Sequence, residues 1–329
     1  MLLRRGIRIH LLITCAVLVA LGAAWGGRAG AQEKYPTRPI EIICPFSAGG
    51  STDLSARLVA EYAKRKWKIP ANVTNKTGGN TMPALMDLYS AKPDGYTLFG
   101  ESQNSSSMLP VVVKQLPFKI MDRSFLGIWN TTPTIFFVAA NSPIKSLKDL
   151  EAEIKKDPDN FTWTSLGGVG AQDYATRQLV KAIGVDVLRT KAVMAPGGAQ
   201  ATALAGGGHV KLGSGTITST IAGIEAGLVR VIAITGKTRF SGLPDVPTFE
   251  EQGYPTVTGA QWNGLSAPPK TADHLLQLWD GLLVEMSKDA DVQARMKKVG
   301  LMPVHYNAKE TREFIAKQSE EIEVLWGLK

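Results

Sequence analysis

The chain has 329 residues, of which 44% are hydrophobic and 20% are charged. These values are typical of a globular protein and exclude a collagen-like, coiled-coil or largely disordered chain. The length corresponds to about two domains, each large enough to bury a core. The formal net charge of +8 would suit a nucleic-acid-binding protein, but only if the mature chain keeps it.

Residues 1–31 have the pattern of a cleaved signal peptide. Three arginines lie within the first eight residues, and residues 11–24 form a mostly apolar run. Ala29 and Ala31 supply the small residues that a signal peptidase recognises, which predicts cleavage after Ala31. An uncleaved membrane anchor is the alternative, but the apolar run is shorter than the roughly 18 residues that a spanning helix needs.

Cleavage would change both the charge and the cysteine content. It removes four arginines and no acidic residue, so the net charge falls from +8 to +4. It also removes Cys15 and leaves Cys44 alone, so no internal disulfide can form. A secreted eukaryotic chain of this length usually carries several disulfides. We therefore expect a bacterial protein exported to the periplasm.

After the leader, β-branched runs alternate with amphipathic segments. Strands are predicted at residues 40–45, 96–100, 126–129, 135–139, 162–165, 210–213 and 229–235. Helices are predicted at residues 51–66, 83–90, 147–156, 171–183, 198–205, 219–226 and 309–326, with further helical sequence after residue 270. This alternation predicts an α/β fold with mainly parallel sheets.

No catalytic, metal or cofactor motif is complete. Residues 236–238 read Gly-Lys-Thr like the end of a Walker A loop, but Val231 stands where the motif needs glycine. The histidines that remain after cleavage lack metal-binding spacing. Cys44 is either a reactive thiol or a small buried hydrophobe, and its strand favours the second. Aromatic residues are not interleaved with basic clusters, which argues against nucleic acid. We expect no enzyme activity, no metal and no cofactor.

Two glycine-rich loops stand out, each between a predicted strand and a predicted helix. The first spans residues 45–53 and the second spans residues 164–172. Backbone N–H groups of such a loop, together with the N-terminus of the following helix, can bind an anion. Neither loop contains Lys or Arg, so neutral donors would hold a carboxylate there. The alternative is that both loops are only tight turns.

Several motifs resemble those of the Bug proteins, the TctC-like substrate-binding components of tripartite tricarboxylate transporters. The resemblance rests on YPTRPI at residues 35–40, PFSAGGSTD at 45–53, KPDGYTL at 92–98, AGLVRVIAITG at 226–236 and LPDVPT at 243–248. These motifs occur in the order typical of the family, and the resemblance covers residues 35–329.

The resemblance implies a two-lobed periplasmic-binding-protein fold of the Venus flytrap kind, type II-like, with two crossover strands. The crossovers would lie near residues 132–139 and 260–267. Residues 32–132 and 260–329 would form the first lobe, and residues 133–259 the second. The resemblance also implies a monomer that binds a small organic anion, either a carboxylate or dicarboxylate or an aromatic carboxylate, and delivers it to a membrane permease.

The ligand-binding residues implied by the resemblance come from two segments of the first lobe and three segments of the second lobe. In the first lobe they are Phe46, Ser47, Ala48, Gly49, Gly50, Ser51, Thr52, Asp53, Ser102, Gln103 and Asn104. In the second lobe they are Ser165, Leu166, Gly167, Gly168, Val169, Gly170, Ala171, Gln172, Pro196, Gly197 and Ser214.

The chain also departs from the family. Met194-Ala-Pro-Gly197 stands where members often have Pro-Tyr-Lys-Gly, and Ser214, between two glycines, replaces a common acidic residue. Both changes would leave room for a larger ligand or a second carboxylate. Asp53 either only favours the helix N-terminus or orders the loop and faces a ligand amine. Trp129 and Trp262 either stack on the ligand or pack at the hinge.

Two other functions stay open on the sequence alone. The protein could present its bound solute to a two-component sensor kinase outside the cytoplasm, or it could be an α/β enzyme with an unfamiliar site. Genes for a permease beside this one would favour transport, and genes for a two-component pair would favour sensing.

Overall fold

The computed structural model describes residues 34–195 and 197–328. The signal peptide predicted at residues 1–31 and the candidate site residue Pro196 lie outside the described residues. Contacts group the chain from Arg38 onward into one compact unit. The short segment before it contains a cis peptide bond between Tyr35 and Pro36.

The elements of the first part of the chain alternate between strands and helices, as follows: β1 Ile40–Cys44, α1 Ser51–Trp67, β2 Ala71–Asn75, α2 Met82–Ser90, β3 Thr97–Ser102, a π-helical turn Asn104–Met108, α3 Leu109–Val112, β4 Ser124–Thr132 and β5 Thr134–Ala139. The alternation continues through α4 Leu147–Lys156, β6 Thr162–Ser165, α5 Ala171–Ala182, β7 Lys191–Met194, α6 Gly198–Gly206, β8 Gly213–Thr216, α7 Ile217–Glu225 and β9 Val229–Ile234. The remaining elements are β10 Gln261–Ala267, α8 Asp273–Lys288, α9 Ala290–Lys298, β11 Met302–Tyr306 and α10 Ala308–Leu325.

The strands form three sheets in the described part of the chain. The largest has six strands in the order β11-β4-β10-β3-β1-β2. The second has the order β8-β5-β9, and the third pairs β6 with β7. The six-stranded sheet takes its strands from residues 40–132 and 261–306, whereas the two smaller sheets use residues 134–234. Pro133 alone separates β4 from β5.

The expectation of mainly parallel sheets is wrong. Only β1 with β2, β1 with β3 and β6 with β7 are parallel among the paired strands described. The other pairs are antiparallel, because β10 and β11 return to the first sheet from the end of the chain. In the second sheet, β5 runs against both of its neighbours.

Each group of sheets has its own apolar core. Phe99, Phe125 and Trp262 belong to the core beside the six-stranded sheet. Phe136 and Trp163 belong to the core beneath the smaller sheets, where helices α4 and α5 pack. These buried aromatic and β-branched residues explain why the interior strands were readable from the sequence.

Most of the predicted elements exist, but the strand predicted at 210–213 is wrong. Strand β8 begins only at Gly213, and the preceding residues cross β6 at a single bridge between Trp163 and Leu212. Three strands, β2, β7 and β11, escaped prediction. Each lies at the edge of its sheet, where a strand needs no continuous apolar run.

Within the described residues, none of the helices has an apolar stretch that would cross a lipid bilayer.

Candidate functional site

The first glycine-rich loop lies at the edge of the six-stranded sheet where several strands end. Strands β1 and β3 are parallel neighbours, and β4 runs in the same direction because β10 is antiparallel to both β3 and β4. Their carboxyl ends therefore meet at one edge. The loop after Cys44, the segment Ser102–Asn104 and Thr132 all lie at this edge. Ligands of open α/β sheets commonly bind at such an edge.

Asp53, the third residue of α1, holds the first loop in place. Its carboxylate accepts the backbone N–H of Gly49 at 2.9 Å, Nε of Arg57 at 2.9 Å and Nδ2 of Asn75 at 2.8 Å. The side chain itself is buried. Burial acts to raise the pKa of Asp53, but the hydrogen bonds from Arg57, Gly49 and Asn75 outweigh it and lower the pKa. Of the two interpretations, these contacts support ordering of the loop.

The second loop is built in the same way around Asp173, the third residue of α5. Its carboxylate accepts the hydroxyl of Ser165 and the backbone N–H groups of Leu166 at 3.0 Å and Gly168 at 3.2 Å. Oγ of Ser165 in turn accepts the N–H of Gly167 at 3.0 Å. Burial raises the pKa of Asp173, although the hydrogen bonds from Ser165 and the backbone oppose it.

Asp173 was missed in the sequence. The available signal was its position, since it is the third helical residue after a glycine-rich loop, like Asp53 in the first unit. These hydrogen bonds within the loops also limit how the loops can bind an anion. The N–H groups of Gly49, Leu166, Gly167 and Gly168 serve the loops themselves.

The first turns of α1 and α5 remain available as donors. The first N–H groups of a helix have no partner within the helix. The N-cap residues, Gly50 and Gly170, supply no capping side chain. The N–H groups of Ser51 and Thr52 in one helix, and of Ala171 in the other, therefore point out at a helix end that favours negative charge.

Three buried polar side chains at the first-loop edge, and a fourth just past Pro133 at the start of β5, lack a partner within the described residues. They are Oγ of Ser102, both amide atoms of Gln103 and the hydroxyls of Thr132 and Thr134. None of the four is exposed to any measurable extent. Burying such groups without a hydrogen bond costs free energy, so they fit a site that a polar ligand or water completes. Thr132 and Thr134 were not predicted as site residues. The sequence signal that could have indicated them is their position on either side of Pro133, next to the expected crossover.

The second-lobe candidates also meet at one sheet end. Strands β6 and β7 are parallel, with Ser165 opposite Met194, and Gly197 is the N-cap of the next helix. Ser214 lies beside them because its backbone N–H binds Oγ1 of Thr164 at 2.9 Å.

Phe137 packs against Gly213, the residue before Ser214. An added Cβ on Gly213 would come within 2.1 Å of the Phe137 ring. The glycine therefore makes room for Phe137, while the larger ligand space expected next to Ser214 stays a prediction.

The other candidates take the following positions: Phe46 is half-buried, Ser47 and Ala48 are exposed, Asn104 is buried at the start of the π-helical turn, Val169 is buried, and Gln172 is half-buried in the first turn of α5. No hydrogen bond or ion pair joins the first loop to the second among the described residues.

A series of buried side-chain hydrogen bonds connects helix α1 to the strands near the expected crossovers. Oγ1 of Thr52 donates to Oδ1 of Asn263 at 2.8 Å, and Nδ2 of Asn263 donates to Oδ1 of Asn130 at 2.7 Å. Nδ2 of Asn130 then donates to Oγ of Ser55 at 2.8 Å. Each of these side chains is buried, so the hydrogen bonds between them fix α1 against β4 and β10.

The tryptophans near the crossovers pack inside the molecule. Trp129 and Trp262 are both fully buried. Nε1 of Trp262 donates to Gln318 on α10 at 2.9 Å, and its ring meets Phe314 edge-on at 6.1 Å between centroids. The burial of both rings and these contacts of Trp262 favour packing inside the protein over an exposed stacking face.

Comparison with known proteins shows which family has this architecture. Residues 55–326 match the family described as the tripartite tricarboxylate transporter family receptor, TctC. The protein BugT of Bordetella pertussis is 29% identical over 292 residues, which cover 86% of this chain and 87% of BugT. The solved structure of the periplasmic binding protein BugD is 26% identical, with a TM-score of 0.76, over 89% of this chain and 98% of BugD.

Two further structures contain ligands and share the fold. MatC from Rhodopseudomonas palustris, solved with bound malate, is 21% identical, with a TM-score of 0.76 over 88% of this chain and 99% of MatC. An R. palustris protein solved with adipate is 20% identical, with a TM-score of 0.82 over 89% of this chain and 99% of that protein. The two-lobed fold and the Bug resemblance are thus confirmed, and this chain belongs to the TctC family of tripartite tricarboxylate transporter receptors.

Proposed function

We propose that this protein is exported to the periplasm, captures a small organic carboxylate between two lobes and passes it to a membrane permease. The ligand is a small carboxylate or dicarboxylate, or an aromatic carboxylate. The first lobe consists of residues 32–132 and 260–329, and the second of residues 133–259. Support for this division comes from the sheets, since the six-stranded sheet and the two smaller sheets draw on separate parts of the chain.

The observation that carries the proposal is the group of unpartnered buried side chains at the first-loop edge. The amide of Gln103 and the hydroxyls of Ser102 and Thr132 are buried and have no hydrogen-bond partner among the described residues. They lie at the same sheet edge as the N-terminus of α1, where a carboxylate is favoured. A carboxylate there could accept from several of these donors at once.

The relatives support the same class of ligand and the transport role. Malate and adipate are bound in two proteins of the same fold, and the family's description is that of a transporter receptor. The ligand-binding residues proposed in each loop lie at strand ends, as they would in a cleft between two lobes.

A thermal-shift screen of protein purified from the periplasm tests the proposal. The screen compares monocarboxylates, dicarboxylates and aromatic carboxylates with sugars and cationic amines. A ligand at about 100 times its Kd stabilises the fold by about 2.7 kcal/mol, which raises Tm by several degrees. If no carboxylate raises Tm while a sugar or an amine does, the proposal is wrong.

A matched pair of glycine variants tests the position of the site. Gly49 and Gly253 both have positive φ, at +83° and +90°, and an added Cβ would meet no atom within 4 Å at either. Gly49→Ala and Gly253→Ala therefore impose a similar local strain. We expect only Gly49→Ala to weaken carboxylate binding, measured by calorimetry. Equal affinities in the two variants would contradict a site at the first loop.

A further inference from the structure

A cavity of about 250 Å³ lies beside the second loop. Ser165, Gly167 and Gly168 form one side of it, and Trp163 and Met194 contribute an apolar wall from β6 and β7. Trp163 and Met194 belong to parallel strands whose alternate side chains share a face. Arg177, from the second turn of helix α5, also borders the cavity.

Arg177 is a cation without a counterpart. Within the described residues its guanidinium makes no hydrogen bond or ion pair, and its Nε is inaccessible to solvent. Its Cζ lies 4.4 Å from the centre of the Trp326 ring. This cation–π contact uses no N–H hydrogen bond, so the N–H groups of Arg177 stay available, and a guanidinium fork matches a carboxylate.

The nearby acidic groups do not neutralise Arg177 by contact. Asp173 and Asp186 act on Arg177 only through longer-range attraction, and burial lowers the pKa of Arg177. The carboxylate oxygens of Asp173 already accept hydrogen bonds from Ser165, Leu166 and Gly168. Burial also raises the pKa of Asp173, which favours its neutral form.

We infer that Arg177 is the charged specificity-determining residue of the second-loop half of the site: its guanidinium binds an anionic group of the ligand, while Met194 and Trp163 contact an apolar part. The inference rests on the proposed function and narrows it to a ligand that carries a negative charge at the second loop. It also adds to the loops' neutral donors a cation that neither loop contains in its own sequence.

The test compares dicarboxylates with their monoamides, which replace one carboxylate by a neutral group of similar size. The probes are the saturated dicarboxylates from succinate to suberate, and binding is measured by calorimetry. A hydrogen bond to a charged group contributes about 1.5–3 kcal/mol. We therefore expect the wild-type protein to bind the best dicarboxylate about 10–100 times more tightly than its monoamide.

Substitutions at two positions of α5 distinguish direct binding by Arg177 from a general effect of positive charge. In Arg177→Gln the preference for the dicarboxylate over its monoamide should fall to about one, whereas Arg177→Lys should keep part of it. Lys181→Gln removes a positive charge from an exposed position one turn further along the same helix, and should keep the full preference. An unchanged preference in Arg177→Gln would overturn the inference.

Chemical modification of the wild-type protein gives a test that needs no variant. Phenylglyoxal labels accessible arginines, and mass spectrometry reports each site. The bound dicarboxylate should protect Arg177 and leave Arg189, which is exposed and pairs with Asp159, as reactive as before. If dicarboxylates bind without protecting Arg177, the inference fails but the proposed function stands. If only a monocarboxylate binds, the inference fails in the same way; if no carboxylate binds, both fail.

Discussion

Glu101 and Arg123 form a fully buried ion pair just beneath the candidate site residues Ser102 and Gln103. Both carboxylate oxygens of Glu101 are satisfied, because Arg123 and Ser266 donate to one and two serines of the π-helical turn donate to the other. A buried charge pair of this kind is retained only when hydrogen bonds complete it. The pair therefore fixes the end of β3 against the following turn.

We expect Arg123→Met to lower the free energy of unfolding by about 3–5 kcal/mol, because it leaves the Glu101 carboxylate buried without its cation. Urea unfolding measures the loss. Lys76→Met is the control, since Lys76 forms an exposed pair with Asp87 and should cost less than about 1 kcal/mol. Similar losses in the two variants would contradict the structural role of the buried pair.

Cys44 should behave as a core residue and not as a reactive thiol. Its side chain is fully buried in β1, and burial raises its pKa to about 11. At pH 8 only about one thiol in a thousand would be ionised. The native protein should therefore react with a disulfide reagent only after denaturation. Rapid labelling of the native protein would contradict this.

At the scale of elements, two strand–loop–helix units share one arrangement. In each, a strand ends, a glycine-rich loop follows, and the aspartate at the third position of the helix reaches back to the loop. The two aspartates differ in their surroundings. Asp53 faces the guanidinium of Arg57, whereas Asp173 is buried beside backbone N–H groups and a hydroxyl. Their pKa values are therefore shifted in opposite directions.

The lowered pKa of Asp53 predicts a specific pH dependence. Its ionised form stabilises the fold above the unfolded pKa of about 4, and this contribution is lost as the pH falls through the lower folded pKa. We expect the difference in free energy of unfolding between wild type and Asp53→Asn to shrink as the pH falls from 6 to 3. Urea titrations at several pH values measure it.

Asp173→Asn provides the contrast at the matching helix position. Because the folded pKa of Asp173 is raised, ionisation costs stability at neutral pH, and the wild type gains stability relative to the variant as the pH falls. The two differences should therefore move in opposite directions. If both shrink together on acidification, the opposite shifts are wrong.

The sequence predicts interior elements better than edges and contacts. Helix α4 and strand β6 were predicted with the bounds that the structure has, because apolar periodicity marks their buried faces. The edge strands β2, β7 and β11 carry no such pattern. Arg177 lies only five residues after the second loop, yet its place beside Met194 depends on the pairing of β7 with β6, which the sequence does not contain.

At the scale of the molecule, the family motifs indicated the fold, while helical and strand patterns alone gave only the α/β class. The strands of the six-stranded sheet come from both ends of the described chain, an arrangement that local patterns do not show. The buried hydrogen bonds from Thr52 through Asn263 to Asn130 fix α1 to β4 and β10. We therefore expect lobe movement to occur beyond these strands, around Pro133 and residues 258–260.

The anchoring of each loop by its own aspartate has a consequence for how fast and how tightly a solute can bind. A loop that is disordered in the empty protein loses conformational entropy when it closes on a ligand, and affinity falls accordingly. Here Gly49, Leu166 and Gly168 are already held by Asp53 and Asp173. Much of the conformational entropy of the two loops is therefore lost during folding and not on binding. When a solute binds, the main additional step is the movement of the lobes.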